Sequence, residues 1–199
     1  MSNMRLKLTY QRGLTLIESI VGIVILGFAL SVLISGVFTS STTSHQATYQ
    51  VQAAALGHSV MTDILSRQFD QHSDPNGGQY RCGEALSGMT IPSCTLVKNL
   101  GRDGAAENSA ITFNDVDDFI GCWGALSECS SNTLPSYQLN QLIDTSSADE
   151  YKHFTVEINV MYADIDAQNT AITQYKKIII TLYASQYAKY TFSAYRGNY

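Results

Sequence analysis

The sequence predicts an α+β fold: a long helix first, an antiparallel sheet last, and an irregular region pinned by cysteines between them. Three observations carry this expectation. Residues 14–38 are almost wholly apolar or small and run into a polar stretch with helical spacing; four cysteines lie among turn-forming residues; and from His153 onward apolar and polar residues alternate. At 199 residues the chain suits one domain of ordinary size with one element outside its core.

The first thirteen residues carry Arg5, Lys7 and Arg12 with no acid. Setting aside those three positive charges, the formal net charge of −5 becomes −8 for residues 14–199. So acidic a body repels phosphate backbones, which argues against nucleic acid as a partner. Residues 14–38 read LTLIESIVGIVILGFALSVLISGVF, with Glu18 their only charge. As a helix they would extend about 37 Å, enough to cross a hydrocarbon layer of about 30 Å. The run is longer than the apolar stretch of a secretory signal peptide, about 7–15 residues. A plain membrane anchor explains the length but not Glu18, since an acid well inside the bilayer costs roughly 2.5–3.5 kcal/mol. With the basic leader held in the cytoplasm, everything after residue 38 lies across the membrane. Gly22, Gly27 and Gly36 weaken the helix, and they suit either close helix approach or ordinary membrane-helix composition.

The helix is expected to continue over 39–69, because no proline occurs before Pro75 and Ala47, Val51, Ala54, His58, Met61 and Leu65 recur at steps of four and three. Residues 70–150 are rich in Gly, Ser, Asn and Asp and hold all four cysteines: Cys82, Cys94, Cys122 and Cys129. Their even number, on the far side of a membrane, points to disulfides. Zinc is disfavoured, because the cysteines are separated by 11, 27 and 6 residues and include no C-x-x-C. Three pairings are possible; the local ones, Cys82–Cys94 and Cys122–Cys129, are favoured, and a closed loop of about 15 residues contributes about 3 kcal/mol. Within 151–199, Phe154, Val156, Ile158, Val160 and Tyr162 form one alternating strand, and Ile178, Ile180 and Leu182 a second around a linker at 166–170. A third strand at about 189–195 completes an antiparallel meander.

Asp115, Asp117 and Asp118, in Phe113-Asn114-Asp115-Val116-Asp117-Asp118-Phe119, are weak candidates for calcium. Their spacing is not that of an EF-hand, and acids opening a short helix explain them more simply. Asp70, Asp74 and Asn76 fall in a turn signal, Asp-Pro-Asn-Gly-Gly. His45, His58, His72 and His153 are scattered, and no catalytic constellation accompanies them, so no enzyme activity or cofactor is expected. The twelve tyrosines suit strand packing better than a carbohydrate surface.

Gln11-Arg12-Gly13-Leu14-Thr15-Leu16-Ile17-Glu18 resembles the class III signal of type IV prepilins and type II secretion pseudopilins. The resemblance implies cleavage between Gly13 and Leu14 by prepilin peptidase, N-methylation of Leu14, and an assembly role for Glu18. Its implied partners are that peptidase, other pilin subunits and an inner-membrane assembly platform. The implied organisation is a leader at 1–13, an apolar membrane and filament-core helix at 14–38, an amphipathic helix at 39–69, the irregular region at 70–150 and the sheet at 151–199. The precursor would sit in the inner membrane with a periplasmic body, then move to the cell surface. Arg67-Gln68-Phe69-Asp70, Arg81-Cys82-Gly83-Glu84 and Phe113–Phe119 with Gly121-Cys122-Trp123 resemble minor pilins of the mannose-sensitive haemagglutinin (MSHA) pilus. Leu14 stands where phenylalanine is usual in the family, and the last cysteine lies 70 residues before the end, unlike a major pilin with a C-terminal disulfide loop.

Overall fold

The computed structural model describes residues 15–76, 79–129, 133–163, 171–184 and 188–199. The order is one long helix, short turns and strands, then three long strands, so the α+β architecture holds. Gly13 and Leu14, and the linker expected at 166–170, lie outside the described residues. The chain divides into two compact units, one ending at His45 and one spanning Gln46–Tyr199.

Helix α1, Leu16–Ser66, begins in the first unit. Thr15 precedes it, and the Thr15 Oγ1 accepts a 3.4 Å hydrogen bond from the Glu18 N–H, satisfying one of the donors a helix start leaves free. The segment Leu16–Gly36 is apolar over 21 residues and none of it is buried within the chain, so its length and composition suit a membrane crossing.

In the second unit, α1 runs from Gln46 to Ser66 and packs Ala53, Leu56, Val60 and Ile64 into a core with Val156, Ile158, Ile178, Ile180 and Leu182. The buried stripe differs from the expected one. Val51 is 70% exposed, and Ala47, Ala54 and His58 are exposed as well, whereas Leu56 is 2% exposed. The core-facing stripe is displaced by one residue, or about 100° around the helix. Met61 and Leu65 of the expected stripe still pack against the edge of this core, while Leu56, Val60 and Ile64 bring more apolar surface to it than Ala47, Ala54 and His58 would. The helix ends at Ser66, a little short of Phe69.

The sheet has five strands in the order β2-β1-β3-β4-β5: β1 Gly121–Trp123, β2 Ser136–Tyr137, β3 Phe154–Tyr162, β4 Tyr175–Ala184 and β5 Ala188–Gly197. The last three form the expected antiparallel meander, with Ile158 opposite Ile180 and Ile180 opposite Phe192. The sheet is mixed, however, because the irregular region supplies two more strands: β1 pairs antiparallel with β3 and parallel with β2. Parallel neighbours need a crossover of a dozen residues or so. Here the return contains the short helix α2, Leu126–Cys129, and the Cys122–Cys129 disulfide ties β1 to it. A second disulfide, Cys82–Cys94, packs with Phe69 and Tyr162 in a smaller core. The Asn198 side-chain amide donates to the Cys82 carbonyl at 3.2 Å, which fastens the chain end to that loop.

Candidate functional site

Two groups of polar residues stand out, one in each unit. In the first unit Glu18 is exposed in the opening turn of α1, where a carboxylate faces the positive end of the helix dipole. Thr15-Leu16-Ile17-Glu18 is also a capping-box pattern ahead of an apolar run, a local signal that the sequence reading did not use.

In the second unit the acidic segment 113–119 forms a buried polar centre around Lys176. β4 turns every second side chain inward, so Lys176 shares a face with Ile178, Ile180 and Leu182 and is fully buried. Its Nζ donates to the Phe69 carbonyl at 2.6 Å, to Asp117 at 2.5 Å and to Asp70 at 3.3 Å. The ammonium also lies over the rings of Phe69 and Tyr162, 4.7 and 5.3 Å from their centroids. Extending the Ile178, Ile180, Leu182 alternation back by two residues would have placed Lys176 inside; the sequence reading singled out neither it nor its contact with Asp70.

Each acid here also holds backbone. Asp70 accepts from the N–H of Thr95 at 2.8 Å and of His72 at 3.1 Å, and Asp117 from that of Gly101 at 3.1 Å. Gly101 has a φ of 126°, a backbone conformation that favours glycine. Asp115 accepts from the N–H groups of Gln71 at 2.8 Å and Asp117 at 2.9 Å. Asp115 thereby supports the turn Asp117–Phe119, the helix-opening role expected of this segment. The centre joins the chain just after α1, the loop after Cys94, the acidic turn and β4.

Burial raises the Asp70 carboxyl, but Lys176 and the N–H groups of Thr95 and His72 outweigh it and hold the group below its ordinary value. Asp115 has no such excess of partners. Burial, with Asp117 and Asp118 adding to it, pushes Asp115 up to about 9 against the pull of Lys176. Burial likewise pushes Asp118 up to about 7. The three calcium candidates thus have unequal roles: Asp117 pairs with Lys176, Asp115 holds backbone, and Asp118 faces another group of acids. His58 and His153 are exposed, and His72 Nδ1 lies 3.0 Å from Asp70.

Residues 8–34 match the family model of the prokaryotic N-terminal methylation motif. No curated protein and no solved structure matches the chain. The motif, leading into an apolar helix and an α+β body with disulfides, supports the type IV pilin or pseudopilin class. That class is structural, and its motif implies processing by prepilin peptidase and assembly with other pilins in a membrane.

Proposed function

We propose that the chain is a minor subunit of an MSHA-like type IV pilus, cut between Gly13 and Leu14, methylated at Leu14 and built into a filament for surface attachment. The observation that carries the reading is the methylation motif over residues 8–34, with Glu18 inside it. The resemblance of the 67–70, 81–84 and 113–123 segments to minor pilin D of that pilus supports the subfamily, and the long region at 70–150, with no cysteine after Cys129, supports a minor role. In the precursor the leader lies in the cytoplasm and the body in the periplasm, and the assembly platform of the inner membrane delivers the cut subunit to the fibre.

Mass spectrometry of membrane-extracted protein is expected to show a chain starting at N-methylated Leu14, and deletion of the gene to reduce surface pili while the major pilin is still made. A Met1 start in cells with active peptidase would defeat the processing step. Loss of protein export with normal pili would instead identify a secretion pseudopilin. An uncut chain absent from sheared filaments would identify a membrane-tethered binding protein that does not polymerise.

A further inference from the structure

We propose that Asp103, Glu107 and Asp118 form a calcium-binding site on the second unit. Each offers a carboxylate oxygen, and the three oxygens lie within 4.8 Å of one another. Calcium binds oxygen at about 2.3–2.6 Å, so oxygens sharing one ion stand up to about 5.2 Å apart, and the three oxygens lie inside that limit. Three carboxylates together suit calcium, which takes many oxygen ligands, better than magnesium, which keeps several waters and uses one or two carboxylates.

The second observation is Asp118 itself. It is 0% exposed, and its Oδ1 is buried without a hydrogen-bond partner among the described residues. The other oxygen, Oδ2, accepts from the N–H groups of Asn114 at 2.9 Å and Asp115 at 3.2 Å, which fixes the carboxylate and leaves Oδ1 for a ligand. A buried carboxylate oxygen without a partner is unfavourable when charged, and a cation beside it would supply one.

The neighbouring groups fit a metal site better than an ion pair. Glu107 accepts from the Asp103 N–H and from the Asn114 amide, each at 2.7 Å, and Asp103 accepts from the Gln71 amide at 2.6 Å. These neutral donors orient the carboxylates without cancelling their charge. Arg102, whose charge acts on Asp118 and Glu107, lies over the rings of Tyr137, Phe113 and Trp123, and its Nε and Nη2 make no hydrogen bond among the described residues, so it forms no contact ion pair there. Burial, then the repulsion of Glu107 and Asp117, raises the Asp103 carboxyl. A divalent ion would relieve that repulsion, with water completing the shell. Asp103 is exposed and Glu107 buried, so the site opens to solvent on the Asp103 side.

The test uses the full chain in detergent, stripped with a chelator and titrated with calcium chloride and, separately, magnesium chloride. Trp123 is the only tryptophan and stacks with Arg102, so its emission reports on the site alongside the melting temperature. Calcium is expected to change both with a midpoint of about 0.1–1 mM, the range of extracellular modules, and magnesium far less. Asp118→Asn should abolish the response. Because that variant loses a buried group, exposed Asp103→Asn is the decisive one: it should melt like wild type without calcium and bind about tenfold or more weakly through loss of one ligand charge. Exposed Asp149→Asn should leave the titration unchanged. No response in wild type, equal responses to the two metals, or an unchanged midpoint in Asp103→Asn would each overturn the site.

Discussion

At the level of single residues, the second unit turns on a lysine with no access to water. A buried charge is tolerated only where partners replace its hydration, and Lys176 has Asp70, Asp117 and the Phe69 carbonyl. Lys176→Met keeps the stem and removes the charge, leaving two buried acids facing each other unpaired. The expected loss is about 3–5 kcal/mol in a urea titration, and a loss under about 1 kcal/mol would show that the pairing contributes little. The same centre sets a pH dependence. In the calcium-free chain Asp115 and Asp118 hold their protons in the fold to about 9 and about 7, against 3.8 for an ordinary carboxyl, so unfolding between those limits releases protons. Stability therefore falls as pH rises through that window, by up to about 1.4 kcal/mol per pH unit for each proton released. Asp70 has the opposite sign. Its lowered value contributes stability that is present above about pH 4 and lost as the pH falls below it. Asp115→Asn should weaken the fold at about pH 4, because an amide nitrogen meets one of the N–H groups the carboxyl accepts, yet flatten the decline between pH 5 and 8. Stability measured across that range with an unchanged slope would remove Asp115 as its cause.

At the level of elements, Gly57 shows how the helix and sheet select their register. A Cβ placed there would meet the Phe192 ring at 2.5 Å, so the glycine opens the helix surface to an aromatic side chain of β5. Alanine is the better helix former by about 1 kcal/mol, but Gly57→Ala is expected to lose a net 1–3 kcal/mol or so through overpacking. In Phe192→Val the same change should be tolerated, and simple additivity of the two substitutions would sink the explanation. The element also marks where the sequence was readable. β3 and β4 were visible because nine and ten residues alternate on a half-buried surface. β1 and β2 were not: three and two residues are too few to show a period, and their pairing depends on distant partners. The helix was found but its inner face misplaced, since alanines at 53, 54 and 55 make several faces alike until the sheet selects the larger side chains. Of the polar centre, the acidic segment was legible as a cluster; its lysine lies 58 positions from Asp118, and only strand alternation connects them to one interior.

At the level of the whole molecule, the two units present opposite surfaces to their surroundings. The second has its own core, whereas the apolar side chains of Leu16–Gly36 are exposed along the helix and need lipid or other helices to cover them. Glu18 lies within that surface. In a bilayer its charge is unfavourable, while in the proposed filament of chains cut before Leu14 it would pair with the amine of a neighbouring Leu14. A shift in register would leave the charges unpaired at a cost of a few kcal/mol, and each 1.4 kcal/mol is a factor of ten in an equilibrium. The local role at the helix start is smaller, about 0.3–1 kcal/mol from the dipole. The two roles separate experimentally. Glu18→Ala removes both charge and shape, while Glu18→Gln keeps the shape and removes the charge alone. Both should insert and be cut at least as well as wild type, because the unfavourable charge is gone. Sheared filaments, compared with the processed protein left in membranes, should contain about tenfold less of either variant if pairing sets register. Retention of Glu18→Gln with exclusion of Glu18→Ala would assign the effect to packing and not to charge. Entry of both variants at the wild-type level would end the register argument altogether.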